Sequence, residues 1–387
     1  MALLFLLISI SINVGYHNQI IVHVTLLPYV KASEEVKTKP TQHSVMRLRE
    51  IGLTPDFILC RSETQIKKSV KEKIALFCNV DAAHVIEGQD VNSIYEVPLL
   101  LDQQKVGQLI SERMELNGVP DVTELKTFID HYKNPDHTVT IAMCGKYTEL
   151  PDAYKSVLEA FIHAGVENDA RVKVKWVATD NLRSLNQYEI EFASVNGILL
   201  RPGFCKRGSE GKILACRYAR EHKIPFFGIC LGLQCAVIEF ARNVCGLEKA
   251  NSTEFDSKTP HPVIDLMESQ RMVKRKGGTM RLGAYKCELK SGSQVFKEYR
   301  KKKISERHRH RWEVNNRFRT KLEKNGLIVS GLNPELNLVE IIELKDHPWF
   351  IGCQFHPELK SRVLKAHPLF RGFIGASVEY KNGKSFG

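Results

Sequence analysis

The stretch FFGICLGLQC, residues 226–235, constrains the chain more than any other. An apolar run ends in a glycine, a single cysteine precedes a second glycine, and a helical period follows, running from about Leu233 to Asn243. A buried strand that turns at once into a helix belongs to α/β architecture. The glycines fit a sharp turn, because close backbone approach leaves no room for Cβ atoms. Cys230 then has two readings. Cysteine is often buried simply as a small hydrophobe. A thiol at a helix N-terminus, however, meets free backbone N–H groups and a positive dipole end, both of which favour the reactive thiolate.

The rest of the chain repeats the alternation. A strand at Ile20–Leu27 precedes a helix over roughly His43–Ile51 and a strand at Asp56–Cys60, and another helix-to-strand step runs through VKEKIALFCNV and AHVIEG. SIYEVPLLL and a helix near Val106–Leu116 close this part, a parallel α/β unit over residues 21–118. The polar segment 119–137, ending in HYKNPDH, reads as a linker. A second α/β unit over 138–380 opens with TVTIAMCGKY, continues through helix DAYKSVLEAFIHAG and strands VKVKWV and VNGILL, and ends with shorter strands and WFIGCQFHPE. Residues 381–387 are a tail.

A chain of 387 residues suggests about two or three domains. Its ten cysteines form no CxxC pair and no zinc spacing, the pattern of free thiols in a reducing, cytoplasmic compartment. The net charge of +12 sits in short clusters such as Arg271–Lys276 and Lys301–Lys303, without a nucleic-acid-binding signature. We read these as solvated loops whose field suits polyanionic small substrates such as nucleotides, with no nucleic-acid partner. The opening MALLFLLISISINV is too short to span a membrane, no Lys or Arg precedes it, and no small-residue cleavage site follows. Residues 1–20 are therefore read as an atypical apolar start, with no membrane partner.

A thiol nucleophile needs a base. Among the 14 histidines, His356 stands in CQFHPELKS, where a strand ends, Pro357 fixes the backbone and Glu358 lies two residues away, placed to orient the ring. Alone, His356 is an ordinary loop histidine. With the glycine-flanked cysteine upstream, it completes a Cys-His-Glu set.

GICLG with FHPE far downstream resembles the class I (triad) glutamine amidotransferases. The further segments KTKPTQHSV, KIALFCNV, SIYEVPLLL, GKYTELPDAYKSV, ANSTEF, GGTMRLGA and ERHRHRWEVNN resemble the CTP synthase family, from about residue 21 to 376. The resemblance implies a flavodoxin-like class I glutamine amidotransferase domain preceded by part of an α/β P-loop-type synthetase (amidoligase) domain. It implies a ligase that aminates UTP to CTP with ATP and with ammonia released from L-glutamine, in pyrimidine nucleotide synthesis. Mg²⁺, GTP as allosteric activator, and a homotetramer or co-assembly with full-length family members come with it.

By the same resemblance Cys230 is the nucleophile, His356 the acid/base and Glu358 its orienting carboxylate. The N–H groups of Gly203 and Leu231 match the oxyanion donors, while Gln234, Glu254 and Arg311 match the positions that hold the two ends of glutamine. Lys37, Thr38, Lys39, Pro40, Thr41 and Gln42 match the UTP/CTP strip donated across subunits, Lys73 matches another UTP contact, and Gln89–Val91, with Val91 as the ATP contact, match the adenine-facing segment.

Two departures stand out. Arg201-Pro202-Gly203-Phe204-Cys205 fills a loop that in the family reads Pro-Gly-Gly-Phe-Gly, and proline donates no N–H. No phosphate-binding glycine loop or acidic Mg²⁺ set precedes residue 20, and Gly383–Ser385 lacks the glycine a P-loop needs, since Val378 stands there. Three readings follow: a CTP synthase, a glutaminase serving another acceptor, or a regulatory subunit within family assemblies.

Overall fold

The computed structural model describes residues 9–10, 13–145, 154–201, 208–266 and 280–383. The chain divides into two compact units, Met1–Asp130 and His131–Gly387.

In the first unit, β1 (Val22–Leu26), β2 (Phe57–Ser62) and β3 (Val85–Gln89) form a parallel sheet in the order β1-β2-β3. Helices α1 (Lys39–Glu50) and α2 (Lys68–Cys78) bury Val45, Ile74 and Cys78 with Ile58 and Cys60. Helices α3 (Val97–Gln103) and α4 (Val106–Arg113) follow. Helix α1 starts four residues before the expected His43, because Pro40 sits in its first turn, where the missing N–H would have had no partner anyway. Part of the expected linker is also helical: α5 (Thr123–Lys133) buries Phe128 and Ile129.

The second unit carries β4 (His137–Gly145), α6 (Lys155–Glu167), β5 (Ala170–Ala178), α7 (Leu185–Phe192), β6 (Gly197–Leu200), α8 (Ser209–Glu221), β7 (Phe226–Ile229) and α9 (Leu231–Asn243). Then come β8 (Arg281–Leu289), β9 (Lys303–His310), β10 (Leu327–Leu332), β11 (Val339–Leu344) and β12 (Phe350–Cys353). Nine strands form one sheet in the order β9-β8-β10-β11-β12-β7-β6-β4-β5. The half from β12 to β5 is parallel and the other half antiparallel. The parallel order β5-β4-β6-β7-β12 is the flavodoxin-like 2-1-3-4-5 arrangement, which places a ligand crevice at the carboxyl ends of the strands. Strand alternation fills both faces: Ala142, Cys144, Ile198 and Leu200 enter one core, and Ile141, Met143 and Leu199 the other.

Candidate active site

Cys230 is the N-cap of α9, between β7 and the helix, with φ +55° and ψ −102°. A non-glycine residue with φ in this range is strained and persists only where its surroundings fix it. Those surroundings are visible. A Cβ on Gly228 would lie 2.7 Å from the Gly232 carbonyl carbon, and one on Gly232 would lie 2.5 Å from the Leu200 oxygen. The Cys230 N–H donates to the Cys353 carbonyl at 2.7 Å, tying the elbow to the end of β12. Helix α9 begins at Leu231, two residues before the sequence-based estimate, so its first N–H groups open directly beside the sulfur.

Three residues beyond β12, His356 donates its backbone N–H to the Arg307 carbonyl at 2.8 Å, and its Nδ1 lies 2.8 Å from Glu358 Oε1. Pro357 and Glu358 open a short 3₁₀ turn that buries both. Burial alone would lower the His356 pKa. Hydrogen bonding and charge from Cys230 and Glu358 outweigh burial and push it up to about 10. His356 Nε2 has no aligned hydrogen-bond partner among the described residues, yet Cys230 is near enough to act on the ring. The imidazolium favoured here is the counterion a thiolate needs.

Gln234, one turn into α9 and buried, donates from Nε2 to the Trp312 carbonyl at 2.9 Å and to Gln354 Oε1 at 3.2 Å. Leu231 is buried at the helix start. Glu254 and Arg311 are half-buried. Burial raises the Glu254 carboxyl to about 7 against the opposing charge of Lys212. Pro202, Gly203 and Cys205 lie outside the described residues, so of the two expected oxyanion donors the structure describes Leu231 alone.

In the first unit, Lys37 pairs with Glu35, and Lys39, Pro40 and Lys73 are exposed. Thr38 is buried and accepts a hydrogen bond from Gln42 Nε2 at 3.1 Å. Thr41 points inward, its hydroxyl 3.1 Å from Thr25 Oγ1 and 3.4 Å from the Leu26 carbonyl. These contacts anchor α1 to β1. Gln89 and Val91 line a cleft of about 330 Å³ with Leu59, Arg61, Asp90 and Leu101, in which Arg61 and Asp90 pair at 2.9 Å.

Sequence reasoning missed a buried ionic cluster near His356 in the second unit. Arg281 bridges Glu313 at 3.1 Å and Glu340 at 2.6 Å, all three nearly solvent-free. His308 and His310 join it, 2.9 Å apart, and burial followed by the Arg281 charge keeps both imidazoles neutral. The alternation in ERHRHR was its signal: Glu306, His308 and His310 are buried along β9, whereas Arg307 and Arg309 are exposed.

A cysteine on a strand-to-helix elbow, faced by a His-Glu pair at the end of the next parallel strand, defines a class I glutamine amidotransferase. The class-I glutamine amidotransferase model matches residues 149–376, and the model of the CTP synthase N-terminus matches residues 2–116. CTP synthases from Cytophaga hutchinsonii and Caldanaerobacter subterraneus are each 52% identical, over 96% of this chain and 69% and 70% of their own lengths. The glutaminase domain of the Trypanosoma brucei CTPS, solved with bound acivicin, is 34% identical and superposes with a TM-score of 0.59 over 64% of this chain and 96% of that one. The chain belongs to the CTP synthase family, glutamine-hydrolysing carbon–nitrogen ligases of pyrimidine nucleotide synthesis.

Proposed function

We propose that the His131–Gly387 unit hydrolyses L-glutamine at Cys230 and that the ammonia aminates UTP to CTP at the expense of ATP. The observation that carries the reading is the strained Cys230 elbow with His356 held by Glu358 at 2.8 Å. The Cys230 thiolate attacks the side-chain amide carbon, and the oxyanion meets the Leu231 N–H at the helix start. The His356 imidazolium gives its proton to the leaving nitrogen, so that the carbon–nitrogen bond breaks and ammonia departs. Water, deprotonated by the now neutral His356, then cleaves the glutamyl thioester to glutamate and regenerates the thiolate–imidazolium pair. Glu358 stabilises the imidazolium throughout. Gln234, Glu254 and Arg311 hold the substrate's ammonium and carboxylate ends.

In the first unit, Lys37, Lys39 and Lys73 supply the cations for a nucleotide triphosphate, and the cleft at Gln89 and Val91 is the candidate adenine site. Family membership brings Mg²⁺ and activation by GTP. Among the described residues no group of three or more His, Cys, Asp or Glu side chains is placed to hold a metal ion. A cytoplasmic homotetramer, or co-assembly with other family members, completes the reading. Among the described residues no helix is long and apolar enough to cross a membrane.

The test is Cys230→Ala in the full chain. Glutamine hydrolysis should fall by at least about 10³-fold while UTP affinity, measured by calorimetry, stays unchanged. Hydrolysis at the wild-type rate would refute the reading.

A further inference from the structure

The Cys230 sulfur has a second polar neighbour that the triad does not include. Gln354 follows β12 and is fully buried. Its backbone N–H donates to the Glu340 carbonyl at 2.8 Å, so its position is fixed by the sheet. Gln354 and His356 both follow β12, and both act on Cys230. Gln354 Nε2 lies 3.8 Å from Cys230 Sγ, within hydrogen-bond range for sulfur.

The orientation of this amide is determined by its neighbours. The Trp312 carbonyl can only accept, so the Gln234 nitrogen must face it, at 2.9 Å. The same nitrogen reaches Gln354 Oε1 at 3.2 Å. Turning Gln354 over would set its NH₂ against another NH₂ and its carbonyl oxygen against the sulfur, leaving buried groups unpaired. The one arrangement that satisfies the chain Trp312 carbonyl, Gln234, Gln354 ends with an N–H aimed at the thiol. A thiol is a weak acceptor, but a thiolate is a charged one, so this donor discriminates in favour of the reactive form.

We propose that Gln354 is a further catalytic residue: its side-chain N–H, aimed by Gln234, donates to Cys230 Sγ, stabilises the thiolate and holds the sulfur facing the glutamine amide. The inference rests on Cys230 being the nucleophile. It adds a third stabiliser to the α9 N-terminus and the His356 imidazolium, and it gives Gln234 a second task besides substrate binding. Gln354→Glu keeps the shape and replaces the donor with a carboxylate. Gln354→Leu removes the polarity altogether.

The experiment follows the rate of Cys230 alkylation by iodoacetamide against pH, read by mass spectrometry of the Cys230 peptide, alongside glutaminase kinetics of the full chain. The expected result is that the alkylation profile moves to higher pH by about half a unit to one unit in Gln354→Leu and further in Gln354→Glu. The turnover number should fall about 10- to 100-fold with KM changed little, because the thiolate acts in the chemical step. A folded Gln354→Glu chain, checked by circular dichroism, with the wild-type alkylation profile would overturn the proposal whatever the Leu variant does. Loss of turnover with an unmoved profile would also overturn it, leaving Gln354 a packing residue. Failure of the underlying reading is separate: it would appear as hydrolysis surviving in Cys230→Ala.

Discussion

The two units use the same strand–helix alternation and differ in what they enclose. In the His131–Gly387 unit, hydrophobic cores cover both faces of the sheet, and its β7, β9 and β12 regions bring Cys230, Arg307 and His356 together. In the Met1–Asp130 unit, β1 leaves Val22, Val24 and Leu26 between 46% and 63% exposed, and the expected nucleotide residues lie mostly along one contiguous strip with three exposed or paired lysines. A site assembled from distant segments is sealed and polar-matched, and each member depends on the others. A strip of surface donors is additive and loosely coupled. Substitutions should therefore be severe and cooperative in one unit and mild in the other.

The sharpest contrast comes from Arg281. Arg281→Met leaves Glu313 and Glu340 buried side by side without their cation, a change of about 3–5 kcal/mol in unfolding free energy. Urea denaturation should show the loss in the transition of the larger unit alone, with the slope unchanged. A loss shared by both units would break the comparison.

A smaller effect belongs to Glu254. Burial raises its carboxyl to about 7, and in the proposed role only the ionised form would attract the glutamine ammonium. As pH falls below about 7 the carboxylate protonates, so kcat/KM for glutamine should drop about tenfold per pH unit. Glu254→Gln should flatten that limb and raise KM at pH 8. If the limb persists in Glu254→Gln, another group controls it.

The smallest expected effect is in the first unit. Lys39 is exposed at the start of α1, and a solvated charge contributes little. Lys39→Ala should raise the UTP KM about two- to fivefold and leave glutamine hydrolysis untouched. A loss of a hundredfold or more would show that this strip is as tightly coupled as the thiol site.

What could be read from sequence was whatever depends on local pattern. The glycines at 228 and 232 foretold an elbow, and both prove sterically required. The two-residue spacing of His356 and Glu358 foretold their hydrogen bond. What depends on register across strands could not be read. Gln354 looks like any strand-end amide until Gln234 and Trp312 are folded beside it. Arg281, Glu313 and Glu340 are far apart in sequence and meet only through three strands. The inward turn of the Thr41 hydroxyl could not be read either, because the helix absorbs Lys39–Gln42 into its first turn. The helix at Thr123–Lys133 was hidden by its polar flanks, with Phe128 and Ile129 alone marking a buried side.

The Cys230 elbow sets the molecule's two demands against each other at one residue. Glycine would occupy φ +55° with less backbone strain, whereas cysteine holds it at a cost of about 1–3 kcal/mol. A library of this chain sorted only for folded yield has no reason to keep the sulfur, and a drift towards glycine there would remove the proposed nucleophile. Sorted for turnover, it must keep a strained residue and find its robustness elsewhere.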